Sequence, residues 1–259
     1  MSASHGKFVW YELVTTDTKA AEEFYKAVMG WGAQDAGMPG VAYTLLSVAG
    51  NHIGGLVELP EEARKLGGRP AWLGYVFVDD VDASAASLAK AGGKVHRQPG
   101  DIPGVGRFAV VADPQGAIFD LFNAAPPPGQ EPVTPAPGTP GYVGWHELQA
   151  TDREAAFGFY SSLFGWAKSD QVDMGAMGIY QVFARGDTQI GGMMTKLESV
   201  PAPFWLYYFN VAGIDAAAAR VAAGGGKIVN GPHQVPGGSW IVQGLDPQGV
   251  LFALVGPKG

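Results

Sequence analysis

The run Phe8-Val-Trp-Tyr-Glu-Leu-Val-Thr is aromatic and β-branched in character, and the segment after it changes to a helical period. Residues 8–15 are therefore predicted as a strand. Thr16-Asp17 supplies an N-cap for a helix running to about Met29, where Gly30 ends it. Along that helix Ala20, Phe24, Ala27 and Val28 recur at helical spacing and are the expected buried stripe. Strands are predicted near 41–49, 52–58 and 72–78, then a helix at 82–91 closed by Gly92-Gly93. Further strands are predicted near 94–97, 107–111 and 117–122.

The same pattern then recurs. Trp10 to Trp31, WYELVTTDTKAAEEFYKAVMGW, aligns without gaps to Trp145 to Trp166, WHELQATDREAAFGFYSSLFGW, with 11 of the 22 positions identical. In the same order, YTLLSVAGNHIGGL from Tyr43 matches YQVFARGDTQIGGM from Tyr180. WLGYVFVDDVDASAASLAKAGGKV from Trp72 matches WLYYFNVAGIDAAAARVAAGGGKI from Trp205, and DPQGAIFDL from Asp113 matches DPQGVLFAL from Asp246. The chain is a tandem duplication. The prolines of Asn123 to Gly141 block both helix and sheet and leave a semi-extended linker. The expected organisation is a module at 1–122, a linker at 123–141 and a second module at 142–259, with a ligand site where the copies meet.

Composition narrows the function. The formal charge of −7 and a pI near 5.2, with Lys and Arg scattered, argue against nucleic acid and leave a small molecule as the expected partner. Cysteine is absent from the 259 residues, which excludes disulfides, thiol nucleophiles and thiolate metal sites. The N-terminus lacks the apolar core of a signal peptide, and no apolar run approaches a spanning helix. A cytoplasmic protein, monomer or homodimer, with no membrane partner is expected. The 39 Gly and 19 Pro suit short strands and tight turns. Phosphate-binding, dinucleotide-binding and nucleophile-elbow motifs are missing from the sequence.

A strand leading into T-D-x-x-A-A-x-x-F-Y-x-x-x-x-G-W, a Val-Asp-Asp-Val-Asp before the second helix, and a closing D-P-x-G strand resemble the vicinal oxygen chelate superfamily. Glyoxalase I, bleomycin-binding resistance proteins and extradiol dioxygenases belong to it. The closest likeness is to its tandem glyoxalase-like proteins. The resemblance implies an α+β fold of paired βαβββ modules whose curved sheets form a cup for a small ligand. It also implies metal ligands at two places. One lies on the first strand, seven positions before the capping Asp; the other lies on the last strand, seven after the Asp of D-P-x-G. Here those positions read Trp10, Trp145, Asp120 and Ala253. Only Asp120 can ligate a cation, so the family's metal site reads as dismantled. No cofactor is identified; if a divalent metal binds, the rearranged set is Glu12, Asp120, Glu147 and His52.

Strand parity sorts the remaining candidates. Trp10, Glu12 and Val14, with Trp145, Glu147 and Gln149, face the cup; Tyr11, Leu13 and His146 face the helix. On the last strand Ile118, Asp120 and Phe122 face the cup and Phe119 and Leu121 the core. Glu12 and Glu147, placed identically on apolar strands, are the candidate acid/base pair, against the alternative of carboxylates that only brace an interface. Candidate ligand contacts are Trp10, Trp145, His52, Gln189, Tyr43, Tyr180, Arg107, Trp240 and Asp120. Three functions fit. The first is lyase- or isomerase-type proton transfer on a carbonyl compound, the second metal-free sequestration of a small molecule, the third a hydroxylase- or dioxygenase-like activity.

Overall fold

The computed structural model describes residues 2–38, 40–124 and 134–259. Much of the expected linker, 125–133, lies outside them. The first copy contains β1 (Phe8–Thr15), α1 (Thr18–Met29), β2 (Gly32–Asp35), β3 (Tyr43–Val48), β4 (Asn51–Glu58), α2 (Glu61–Lys65), β5 (Ala71–Phe77), α3 (Val81–Lys90), β6 (Lys94–Ile102), β7 (Gly106–Ala112) and β8 (Ile118–Asn123). The second contains β9 (Val143–Ala150), α4 (Arg153–Phe164), β10 (Ala167–Asp173), β11 (Ile179–Arg185), β12 (Thr188–Thr195), β13 (Phe204–Asn210), α5 (Ile214–Ala223), β14 (Lys227–Gln234), β15 (Trp240–Leu245) and β16 (Leu251–Gly256). The fold is α+β. Strand β2 and helix α2 have no counterpart among the predicted elements, because four residues of β2 and five of α2 are too short to show a period.

Hydrogen bonding orders the strands as two eight-stranded mixed sheets, β2-β3-β4-β1-β5-β8-β7-β6 and β10-β11-β12-β9-β13-β16-β15-β14. Each sheet draws on one sequence copy. Compactness follows a different partition. The first unit is Met1–Val9, Gly74–Pro132 and Trp145–Trp205; the second is Trp10–Leu73, Val133–Gly144 and Leu206–Gly259. Each unit therefore combines the later half of one copy with the earlier half of the other.

The second unit is built around the face of α1. Asp17 caps the helix by accepting from Ala20 N–H, and Gly30 at φ 74° closes it with a bond from its N–H to Lys26 O. The buried stripe is Ala21, Phe24, Tyr25 and Val28. The expected stripe is thus rotated: Ala20 is half-buried and Ala27 exposed. The reason lies in Tyr25, whose hydroxyl accepts from Trp72 Nε1 at 3.0 Å and donates to Asp246 Oδ2 at 3.2 Å. Its ring must face inward to reach them. Burial, then the Asp246 charge, raise the Tyr25 pKa well above the ordinary phenol value.

The first unit repeats this arrangement with the copies exchanged. Tyr160 on α4 accepts from Trp205 Nε1 at 3.0 Å and donates to Asp113 Oδ2 at 3.0 Å. Asp113 Oδ1 in turn accepts from the backbone N–H groups of Gln115 and Ala117, as Asp246 Oδ1 does from Gln248 and Val250. Every polar atom of the indole–phenol–carboxylate chain is thereby satisfied in the core, where an unpaired one costs about 1–3 kcal/mol. A second tether follows each helix. Trp166 Nε1 donates to Gly6 O at 2.8 Å in the first unit, and Trp31 Nε1 to Gly141 O at 2.9 Å in the second. Among the described residues no helix is long and apolar enough to cross a membrane.

Candidate functional site

Parallel register sets the geometry around the two repeated glutamates. Strand β12 runs beside β9 with Gly192 opposite Glu147, and β4 runs beside β1 with Gly55 opposite Glu12. In each case the neighbouring position has no side chain. A Cβ on Gly192 would overlap the ring of Tyr180, and one on Gly55 the hydroxyl end of Tyr43. The second glycine of each Ile-Gly-Gly therefore leaves the space across which a tyrosine lies flat, its hydroxyl carried toward the first strand.

In the first unit this produces a continuous hydrogen-bonded chain. Trp145 Nε1 donates to Tyr180 Oη at 2.7 Å, Tyr180 O–H donates to Glu147 Oε2 at 3.2 Å, and Gln149 Nε2 donates to Glu147 Oε1 at 2.8 Å. Glu147 is 7% exposed. Both carboxylate oxygens thus accept from neutral donors. In the second unit Trp10 Nε1 donates to Tyr43 Oη at 3.0 Å, and Glu12 follows two residues along the same strand. Position 14 there is Val, where the other copy has Gln149.

The other candidates lie elsewhere. His52 is exposed and its Nε2 sits 3.2 Å from Gln34 Nε2; Gln189, also exposed, donates to Ser169 Oγ at 2.9 Å and Asp170 Oδ2 at 2.8 Å. Arg107 donates to Asp82 at 2.6 and 2.9 Å and to Asp101 at 2.8 Å, a surface cluster that holds the Asp82 carboxyl below its ordinary range. Trp240 receives the Lys258 ammonium 4.8 Å above its ring. Asp120 is fully buried on β8, opposite Tyr75 of β5. His146 is buried, stacks on Phe8 at 4.1 Å and bonds through Nδ1 to Ile190 O at 2.5 Å. Desolvation lowers its pKa to about 4.

These positions do not suit the family's metal. Both first-strand ligand positions are indoles engaged with tyrosines, and Ala253 offers no donor. Of the rearranged set, His52 lies on an exposed strand end and Glu147 is held by Tyr180 and Gln149. Among the described residues no three His, Asp or Glu side chains converge in a metal-holding group.

Two polar residues escaped the sequence reading as candidates. Gln149 enters through its bond to Glu147, and Gln243 through its Nε2, which donates to Tyr208 Oη at 2.8 Å. Their signal is a difference between copies, Val14 against Gln149 and Val110 against Gln243, in an alignment otherwise valued for its identities. Open grooves beside α2 (Glu58, Leu59, Pro60, Glu61, Arg64, Lys65) and α3 hold none of the candidate residues.

Comparison with known proteins agrees with this architecture. The model of the Glyoxalase/Bleomycin resistance protein/Dioxygenase superfamily matches residues 7–121 and again 142–254. CFP32 of Mycobacterium tuberculosis, provisionally named a glyoxylase, is 33% identical over 251 residues, covering 96% of this chain and 94% of its own. The anthracycline biosynthesis protein DnrV of Streptomyces peucetius is 34% identical over 264 residues, covering 96% and 93%. Among solved structures, the Mn(II)-bound glyoxalase of Novosphingobium aromaticivorans superposes with a TM-score of 0.64 at 19% identity, covering 99% of this chain and 83% of that one. Homoprotocatechuate 2,3-dioxygenase of Arthrobacter globiformis gives a TM-score of 0.69 at 17% identity, covering 98% and 80%. With two full matches to the family model and relatives aligned almost end to end, the chain belongs to the glyoxalase/bleomycin resistance protein/dioxygenase superfamily as a tandem, glyoxalase-like protein.

Proposed function

We propose that this glyoxalase-like protein acts on a small carbonyl compound, with Glu147 as the proton acceptor. The observation that carries the reading is the chain Trp145–Tyr180–Glu147–Gln149. A mostly buried carboxylate hydrogen-bonded by two neutral donors is a base whose geometry is fixed before the ligand arrives. It takes a proton from the carbon next to the carbonyl, the C–H electron pair passes into an enolate, and Glu147 returns the proton to that carbon or its neighbour. Tyr180 positions the carboxylate and Trp145 positions Tyr180. Relatives named for a glyoxylase and for anthracycline biosynthesis support small-molecule chemistry of this kind.

Deuterium uptake tests it directly. Hydroxyacetone and methylglyoxal in D2O are expected to exchange their carbon-bound hydrogens faster with the protein than without it, and Glu147→Gln is expected to lower that acceleration by about 100-fold or more. Equal exchange with the variant refutes the role of Glu147. A second reading, sequestration without turnover, draws support from the indole bonded to a tyrosine in each unit, Trp10 to Tyr43 in one and Trp145 to Tyr180 in the other. It predicts ligand-dependent quenching of tryptophan fluorescence with no exchange.

A further inference from the structure

Removing a proton from a carbon beside a carbonyl leaves negative charge on the carbonyl oxygen, so the reaction proposed above needs a hydrogen-bond donor aimed at that oxygen. Counting donors around Glu147 in the first unit finds one source. The indole of Trp145 has a single N–H and gives it to Tyr180; the phenol of Tyr180 has a single O–H and gives it to Glu147 Oε2. Gln149 has two N–H groups on Nε2 and spends one, on Glu147 Oε1 at 2.8 Å. Among the described residues its side chain makes no other hydrogen bond. The amide nitrogen must be the atom that meets Glu147, because a carboxylate oxygen and an amide carbonyl oxygen both accept.

The fork of the amide fixes where the second N–H points. Its two N–H bonds diverge by about 120°, so an oxygen accepting the second lies about 5 Å from Glu147 Oε1. A ligand whose reacting carbon stands about 3–3.5 Å from Oε1, with its C–H perpendicular to the carbonyl plane, has its carbonyl oxygen about 4.5 Å from Oε1. The two spans agree. The place is also reachable: Gln149, Trp145 and Tyr180 are all half-buried on a face that reaches solvent, and Glu147 beside them keeps 7% exposure. The other copy lacks the device. Val14 stands at the position of Gln149, opposite Val57 where Gln149 is opposite Met194. The same strand pairing forms with either residue, so the strand does not require an amide here.

We infer that Gln149 is a catalytic residue of the first unit, its first N–H holding Glu147 and its second receiving the ligand's carbonyl oxygen. As the C–H bond breaks, the proton goes to Glu147, the C–H pair forms the carbon–carbon double bond, and the carbonyl π pair moves onto the oxygen that Gln149 binds. Return of the proton reverses each movement. The ligand class follows: a ketone or aldehyde with an acidic C–H on the adjoining carbon, bound with its oxygen toward position 149. The inference rests on Glu147 being the base, and it adds a second residue at the reacting atoms.

Two measurements on the full chain test it. In the deuterium-exchange assay with hydroxyacetone, Gln149→Val, the residue of the other copy, and Gln149→Met, of similar length without donors, are expected to lower kcat by about 100-fold or more with KM changed far less, while the circular dichroism spectrum is kept. The second measurement uses Glu147→Gln, in which turnover is expected to stop, and hydroxyacetone isotopically labelled at the carbonyl carbon. The infrared stretch of the bound carbonyl is expected at lower frequency than in water, and adding Gln149→Val is expected to abolish that shift. Exchange unchanged in both Gln149 variants, absence of the infrared shift, or its survival in Gln149→Val overturns the role of Gln149 and leaves the Glu147 reading to its own test. No acceleration of exchange by the unaltered chain refutes the Glu147 reading, and the role of Gln149 falls with it.

Discussion

At Gly192 a single hydrogen atom decides whether Tyr180 can reach Glu147. Gly192→Ala inserts a methyl group into the space of the Tyr180 ring, so the hydroxyl must withdraw from the carboxylate. The expected outcome is loss of proton exchange with a stability cost of about 1–3 kcal/mol, read from the urea midpoint. Tyr180→Phe removes the hydroxyl without the clash, and its exchange rate is expected to fall while the urea midpoint moves less. His146 belongs to the same scale. Its pKa is lowered from 6.5 to about 4, so the unfolded chain holds more protons than the folded one between those values. Its contribution is intact above the unfolded value and is lost as pH falls from about 6.5 toward 4, to a total of about 3 kcal/mol. His146→Gln should flatten stability measured across that window; an unchanged pH profile would show that His146 does not govern it. The parity of β9 had already placed His146 away from the catalytic candidates.

At the scale of elements, the helix ends were legible and the helix face was not. Asp17 and Asp152 cap their helices through side chains to the N–H groups of Ala20 and Ala155, and Gly30 and Gly165 end them in the left-handed region, all local effects that residue type announces. Which stripe faces inward depended on Tyr25 meeting an aspartate 221 residues away. Local periodicity cannot contain that information. Removing the hydroxyl tests the contact: Tyr160→Phe leaves Trp205 Nε1 without its acceptor and Asp113 Oδ2 without its donor, and a loss of about 1–3 kcal/mol is expected in chemical denaturation. Tyr25→Phe should cost a similar amount, because Trp72 and Asp246 are bound in the same way.

For the whole molecule, the exchange of halves between copies has a consequence for folding. Each unit takes its helix-borne tyrosine from one copy and the aspartate that binds it from the other, so a fragment of residues 1–122 contains Tyr25 without Asp246 and Asp113 without Tyr160. Expressed alone, that fragment is expected to be unfolded or self-associated by gel filtration and circular dichroism, and to recover a native-like spectrum when residues 142–259 are supplied. A stable, folded, monomeric fragment would contradict this account.

The sequence by itself determined the duplication, the α+β class, most strands, the helix caps and the family, because these depend on local period, turn residues and repeated motifs. It also offered Glu12 and Glu147 as candidates, since a carboxylate repeated on an apolar strand stands out without any coordinates. Tertiary structure alone decided how these parts are used. It gave the Ile-Gly-Gly repeat its role as the space for Tyr43 and Tyr180, joined Trp145, Tyr180 and Gln149 to Glu147, and placed Arg107 among surface aspartates. Those outcomes depend on strand register and on contacts between residues far apart in sequence, and packing fixes both only once the whole chain has folded.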